Sequence, residues 1–224
     1  MPDGVASVEE PFNPLNRLAL AESVLNHLIA RPAGPLPPET SYLGAGIYAI
    51  YFVGEDGLYG PIADKCVTPI YVGKAIPSGG RVGGFDLAGA AGRVLWNRLR
   101  EHSKSILAAE NLDLADFRCR YLVVEDIWIP LAEQLMISRY RPVWNHVVGG
   151  FGNHHVGSTR FTQARPLWDE LHPGRHWATQ MQPAEMSTDQ IIARVRTHFA
   201  ARAAEDTIVG AELAEAEDLT DVEQ

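Results

Sequence analysis

Two short stretches in the first third of the chain, 46 to 53 and 69 to 74, are dense in β-branched and aromatic residues and are bounded by glycine or proline. That pattern predicts two strands of a hairpin, joined by a long polar, glycine-bearing insert from 54 to 68. Side chains alternate along a strand, so Tyr48 shares a face with Ile50 and Phe52, and Tyr71 shares one with Pro69 and Gly73. Two phenols can therefore meet across one antiparallel pair. A third strand is predicted at 116 to 125, where the residues alternate and then turn apolar.

Helical periodicity fills much of the remainder. Leu15, Leu18, Leu25, Leu28 and Ile29 recur at helical spacing after an Asn13–Pro14 start, and one face of that helix needs covering by the domain or by a second subunit. Between 93 and 109, Leu95, Leu99 and Ile106 form one stripe with His102 inside it, and Arg98 borders His102 one turn earlier. A further helix is predicted over 130 to 140, ended by Arg141–Pro142. The last, 187 to 204, turns Ile191, Ile192, Val195 and Phe199 inward. The predicted class is α+β: a small three-stranded antiparallel sheet flanked by helices, with an N-terminal helix and a C-terminal extension. Residues 1 to 40 would be that helix and a semi-rigid linker, because 31 to 38 holds four prolines and a glycine. Residues 41 to 203 would be the working domain, and 204 to 224 an acidic, mobile tail.

Net charge modifies this picture. The chain of 224 residues carries a formal charge of -9, which argues against a nucleic-acid partner at first sight. Yet of its 28 acids, 13 fall in the first 40 and last 20 residues, where Arg17 and Arg31 are the basic residues, which leaves 41 to 203 with 15 acids and 17 bases. The middle is mildly basic. Two cysteines, Cys66 and Cys119, with no leader-like stretch and no apolar run of membrane-spanning length, lead us to expect a reduced, cytoplasmic setting and no membrane partner.

Two glycine-rich segments are read as loops. The first, 75 to 92, carries six glycines beside Arg81 and Arg93, and its backbone N–H groups can approach a phosphate chain closely; a plain surface loop fits equally well. The second, 149 to 159, includes Asn153, His154 and His155, and leads to Arg160, Arg165 and Arg175. These residues put donors on irregular backbone, as a reader of a DNA groove needs, while Trp144, Trp168 and Trp177 read as buried. His172 and His176 have helical ligand spacing, but Pro173–Gly174 between them argues against a helix and hence against zinc.

The paired tripeptides Gly46-Ile47-Tyr48 and Tyr71-Val72-Gly73, with Lys74 just after, resemble the signature of the GIY-YIG nuclease superfamily. Here Val72 replaces the usual Ile, and the joining loop is longer than in compact members. The resemblance covers roughly 42 to 178. It implies a working set of two tyrosines, a helical Arg, a metal-holding Glu and a later Asn, which fall on Tyr48, Tyr71, Arg98, Glu133 and Asn145. His102, one turn from Arg98, and the twelve residues from Glu133 to Asn145 resemble a restriction-enzyme branch whose target is a GC-rich palindrome of the CCGCGG kind.

Several expectations follow from the resemblance. Glu133 would hold a single Mg²⁺, with Mn²⁺ as a substitute. Tyr48 would be general base, with its phenol acidified by Lys74, Arg98 or His102, and His102 is the competing base. Arg98 would clamp phosphoryl oxygens, Tyr71 would position water or phosphate, and Asn145 would brace the Glu133 region. Double-stranded DNA is the expected substrate and a symmetric homodimer the expected assembly, with a cognate DNA methyltransferase in the cell but not as a bound subunit. The alternatives are a repair or homing nuclease of the same superfamily, or a catalytically idle DNA-binding protein on this fold.

Overall fold

A computed structural model describes residues 16–55, 57–77, 92–153 and 161–221. Arg81, His154, His155 and Arg160 lie outside these residues. The hairpin is present as predicted: β2 (Gly46–Phe52) pairs antiparallel with β3 (Tyr71–Ala75), with Tyr48 directly opposite Gly73. The third predicted strand, β4 (Phe117–Val123), pairs along the other edge of β2. A fourth strand was not foreseen. The proline-rich segment read as a spacer contributes β1 (Gly34–Pro35), which pairs with β4 and makes the order β1-β4-β2-β3. Leu36, beside it, is buried in the core.

The sheet is covered on both faces, which is why all seven residues of β2 are buried. On one face Ile47, Ala49, Tyr51 and Val72 pack against Leu25 and Leu28 of α1 (Arg17–Ile29) and Ile129, Ala132 and Met136 of α3 (Ile129–Tyr140). The N-terminal helix is thus covered by its own chain, and its start is set by Asn16, whose side chain accepts the N–H groups of Leu18 and Ala19. On the other face Tyr48, Ile50 and Phe52 meet Leu95, Leu99 and Ile106 of α2 (Val94–Ala108), Trp144 of α4 (Val143–His146) and Trp168 of α5 (Leu167–Leu171). Alternation along β2 thus sends Tyr48 to the α2 side and its neighbours to the α1 and α3 side.

The long hairpin insert is anchored rather than loose. Tyr59 is buried within it; its hydroxyl accepts the indole N–H of Trp144 at 2.8 Å and donates to Nε2 of His172 at 2.6 Å. His172 Nδ1–H donates to Asn111 Oδ1 at 2.9 Å, and Asn111 Nδ2 donates to the Leu171 carbonyl. Every polar atom in that chain has a partner, and burial pushes the His172 pKa down to about 3, which keeps the ring neutral. At the C-terminus, α6 (Thr188–Asp221) buries Ile191, Val195 and Phe199 as predicted and continues as helix to Asp221, into the segment read as a tail, with Glu205 paired to Arg141 at 2.8 Å. Among the described residues no helix is long and apolar enough to cross a membrane.

Candidate active site

The site forms where β3, the free edge of the sheet, passes between α2 and α3. Tyr48 is fully buried, and its hydroxyl lies 2.6 Å from Nε2 of His102, itself fully buried on α2. The Tyr71 ring stands 6.2 Å from that of Tyr48 and 5.2 Å, edge-on, from the His102 imidazole. The glycine of the second tripeptide has a steric reason: a Cβ on Gly73 would overlap the Tyr48 hydroxyl across the strand pair. Gly46 is excluded from substitution in the same way, because a Cβ there would run into the Leu122 carbonyl on β4. The tripeptides are therefore packing solutions that let two phenols and an imidazole share one buried space.

Charge reaches this space from two helices. Arg98 on α2 favours the ionised form of both tyrosines, but burial outweighs it and holds both phenols above their ordinary pKa, Tyr48 well above. Glu133 on α3 is close enough to Tyr71 to raise its pKa further. Tyr71 is thus the group at which the guanidinium and the carboxylate are both felt. Glu133 Oε2 is held by Lys74 Nζ at 2.7 Å, with the carboxylate side chain 16% exposed and the lysine 39%. Beside Arg98 and Lys74 opens a cleft of about 420 Å³, lined also by Ala75, Ile76, Val94, Asn97 and Glu101. Two cations on its wall suit a phosphate.

Asn145 does something different from the expected bracing of Glu133. Its Oδ1 accepts the Val72 N–H at 2.8 Å and its Nδ2 donates to the Val72 carbonyl at 2.9 Å. An edge strand has unpaired backbone groups facing outward. Asn145 closes that edge at the residue between Tyr71 and Gly73, so it fixes the strand that carries the site.

The fit of a divalent cation rests on Glu133. Among the described residues no three His, Cys, Asp or Glu side chains gather into a metal-binding group, so an all-protein cage is not what this site offers. Mg²⁺ commonly uses one or two carboxylates and takes its remaining oxygens from water and substrate phosphate. Glu133 already holds a cation, the Lys74 ammonium, which lines the cleft, and one carboxylate in that setting fits such an ion.

The residues expected to touch DNA separate into groups. Arg93 is exposed, one position before Val94 on the cleft wall. Asn153 is partly buried, with its backbone N–H bonded to the Gly150 carbonyl at 3.0 Å. Arg165 is engaged with Glu170 at 3.0 Å and with the Ala178 carbonyl. Arg175 is a correction. It is 5% exposed, its Nε and Nη2 grip Asp169, and its remaining N–H groups go to the carbonyls of Gly150, Phe151 and Asn153. All five donors are used inside the protein, and none is left for a base or a phosphate. The reason it resembled a surface residue is that its partner lies six positions earlier, across a Pro–Gly turn.

One functional neighbour escaped sequence reasoning. Phe151 is fully buried and stacks on His102 with ring centroids 4.5 Å apart and planes 17° apart. It sits in a glycine-rich loop with no periodicity to mark it; the available signal was a lone aromatic residue between glycines, which on an exposed loop would have no partner.

A search of curated proteins finds no match. A family model described as the Eco29kI GIY-YIG domain matches residues 40–199, which spans β2, β3 and β4, helices α2 to α5, every residue of the site above and the start of α6. The chain belongs to the Eco29kI family of GIY-YIG nucleases.

Proposed function

We propose that the protein is a restriction-type endonuclease that cuts both strands of a specific duplex DNA sequence, working as a homodimer with a single divalent cation at each site. The observation that carries this reading is the 2.6 Å contact between Tyr48 and His102 beside a cleft walled by Lys74 and Arg98. Hydrolysis of a phosphodiester requires removal of a proton from water and stabilisation of charge on the phosphoryl oxygens.

Burial makes Tyr48 a poor acid and keeps it a phenol, so a free phenolate is not the resting state. The close imidazole resolves this. As the attacking water gives its proton to the Tyr48 oxygen, the phenolic proton passes to the lone pair of His102 Nε2. One O–H bond forms on Tyr48 as another breaks, and the positive charge comes to rest on the imidazolium. Tyr48 is the group that touches water and His102 the group that stores the proton, so the two candidate bases act as one relay. Arg98 clamps phosphoryl oxygens as charge gathers on them, and Tyr71, which feels both Arg98 and Glu133, orients the phosphate or the water between them.

Glu133 would hold Mg²⁺, or Mn²⁺ in its place, with Lys74 giving way to it. When bound, such an ion withdraws charge from the phosphate and the leaving oxygen. Exposed Arg93 at the cleft mouth contacts backbone phosphates. Cutting both strands of a palindrome with one site per chain calls for a two-fold dimer, and protection of the cell's own DNA calls for a methyltransferase of the same specificity. The resemblance points to a GC-rich target of the CCGCGG kind.

The test is digestion of unmethylated phage DNA by the purified protein with Mg²⁺. Discrete fragments whose sequenced ends share one palindrome are expected, and Glu133→Ala abolishes cutting while retaining DNA binding. A smear indicates a non-specific or structure-selective nuclease, and DNA left intact across several divalent metals indicates a binding protein.

A further inference from the structure

The wall of the site facing away from the sheet is built by the C-terminal extension. Phe151 lies flat on His102, meets Tyr71 edge-on at 4.9 Å and 78°, and is backed by Trp144 at 4.5 Å. The next residue, Gly152, approaches so closely that a Cβ on it would stand 2.7 Å from the Tyr71 hydroxyl and 3.7 Å from a guanidinium nitrogen of Arg98. Beyond its own Asn153 N–H to Gly150 carbonyl bond, this loop is held from outside. Arg175 binds the carbonyls of Gly150, Phe151 and Asn153 at 3.0–3.2 Å and is itself locked to Asp169, 3% exposed, while Trp168 and Trp177 lie 4.4 and 4.8 Å from its guanidinium carbon. A buried guanidinium with five donors and five acceptors ties three carbonyls of one short stretch, 150 to 153, to one fixed point.

We propose that Phe151, pinned through its own carbonyl by the Arg175–Asp169 pair, is a positioning residue that fixes the plane of His102, and that Gly152 leaves the room Tyr71 needs against Arg98. The proposal rests on the nuclease reading for its catalytic meaning, though the packing relation stands apart from it. A hydrogen bond of 2.6 Å between Tyr48 and Nε2 requires the imidazole plane to be set correctly. The last torsion of a histidine is broad, so the plane the ring adopts is chosen by what packs on its faces and edges, here Phe151 flat against it with Tyr48 and Tyr71 at an angle. Phe151 supplies the flat surface, and its own freedom is removed by a carbonyl bonded to a buried arginine. The extension thereby becomes part of the active site without contacting substrate.

Two measurements on the full chain test this. The first needs neither DNA nor metal: long-range ¹H–¹⁵N spectra report the ring nitrogens of His102. In Phe151→Leu these resonances are expected to move and broaden while the remaining histidines stay in place; unchanged His102 signals in a folded Phe151→Leu protein overturn the proposal. The second is single-turnover cleavage with Mg²⁺. Phe151→Leu should slow cleavage roughly 10- to 100-fold with DNA affinity within about twofold of wild type. On a His102→Ala background the same substitution should cost no more than about twofold, because the residue it acts through is gone. Full multiplication of the two losses means Phe151 acts on stability alone, and overturns the proposal. Should Phe151→Leu fail to fold, Gly152→Ala serves instead, since it leaves Phe151 and Arg175 intact and adds one methyl to the same wall. It should displace the Tyr71 hydroxyl and slow cleavage with binding retained; unchanged spectra and rate overturn the proposal. A wild type that cuts no DNA refutes the nuclease reading, and the spectra still decide whether Phe151 sets His102.

Discussion

Asn145 holds Val72 by both of its backbone polar groups, accepting from the N–H at 2.8 Å and donating to the carbonyl at 2.9 Å. The side chain amide stands in for a further strand, at the residue between the tyrosine and the glycine of the second tripeptide. Asn145→Ala leaves two part-buried backbone groups without these partners, at about 1–3 kcal/mol of destabilisation in total. Urea denaturation checks this. Activity should fall further than stability accounts for, measured at a temperature where the variant is fully folded, because Tyr71 and Lys74 flank the loosened residue. A variant with normal stability and slowed cleavage would show that Asn145 acts on the chemistry directly.

The Tyr59–His172–Asn111 chain makes stability depend on acid. His172 titrates near 3 in the folded chain against 6.5 when unfolded, because burial opposes its charge. Between those values the unfolded state binds the extra proton. Stability is therefore fully present above pH 6.5 and declines as pH falls toward 3, by up to roughly 1.4 kcal/mol per pH unit from this group. Urea midpoints at pH 7 and pH 5 should show the loss, and the His172 ring resonances should remain those of a neutral imidazole at pH 5 in the folded protein. An imidazolium spectrum at that pH would contradict it.

Lys74 occupies Glu133, so the carboxylate is neutralised in the absence of metal. Chelation should stop cleavage while moving Tm by less than about 2 °C. Lys74→Ala should cost no more than about 1 kcal/mol, because the lysine is 39% exposed and water screens the pair. Its effect should be seen in cleavage instead. Calorimetric scans with and without chelator check both statements, and a large Tm loss on chelation would identify a structural metal.

Much of this site was legible because it obeys period. Alternation along β2 put Tyr48 on the face of Ile50 and Phe52, and the 3.6-residue repeat of α2 placed His102 in the stripe of Leu95 and Leu99 with Arg98 at its border. The strand pair then brings Tyr48 opposite Gly73 without further information. Residues on irregular backbone were not legible in this way. Phe151 and Arg175 acquire their positions from contacts across the chain, with carbonyls and rings that no local pattern announces. Proline content misled for a related reason. The 31 to 38 segment has the composition of a linker, yet Gly34 and Pro35 need only two residues of pairing with β4 to become an edge strand, where proline is tolerated. The acidic C-terminal segment, read from its charge as a tail, continues α6 as far as Asp221.

The central claim is that the water's proton passes through Tyr48 to His102. Single-turnover cleavage by Tyr48→Phe and His102→Ala, with DNA affinity measured in parallel, tests it most directly. The account predicts that each variant binds DNA within about twofold of wild type and cleaves at least roughly 100-fold more slowly, with the double variant little worse than either. A Tyr48→Phe protein that cleaves at close to the wild-type rate would contradict it.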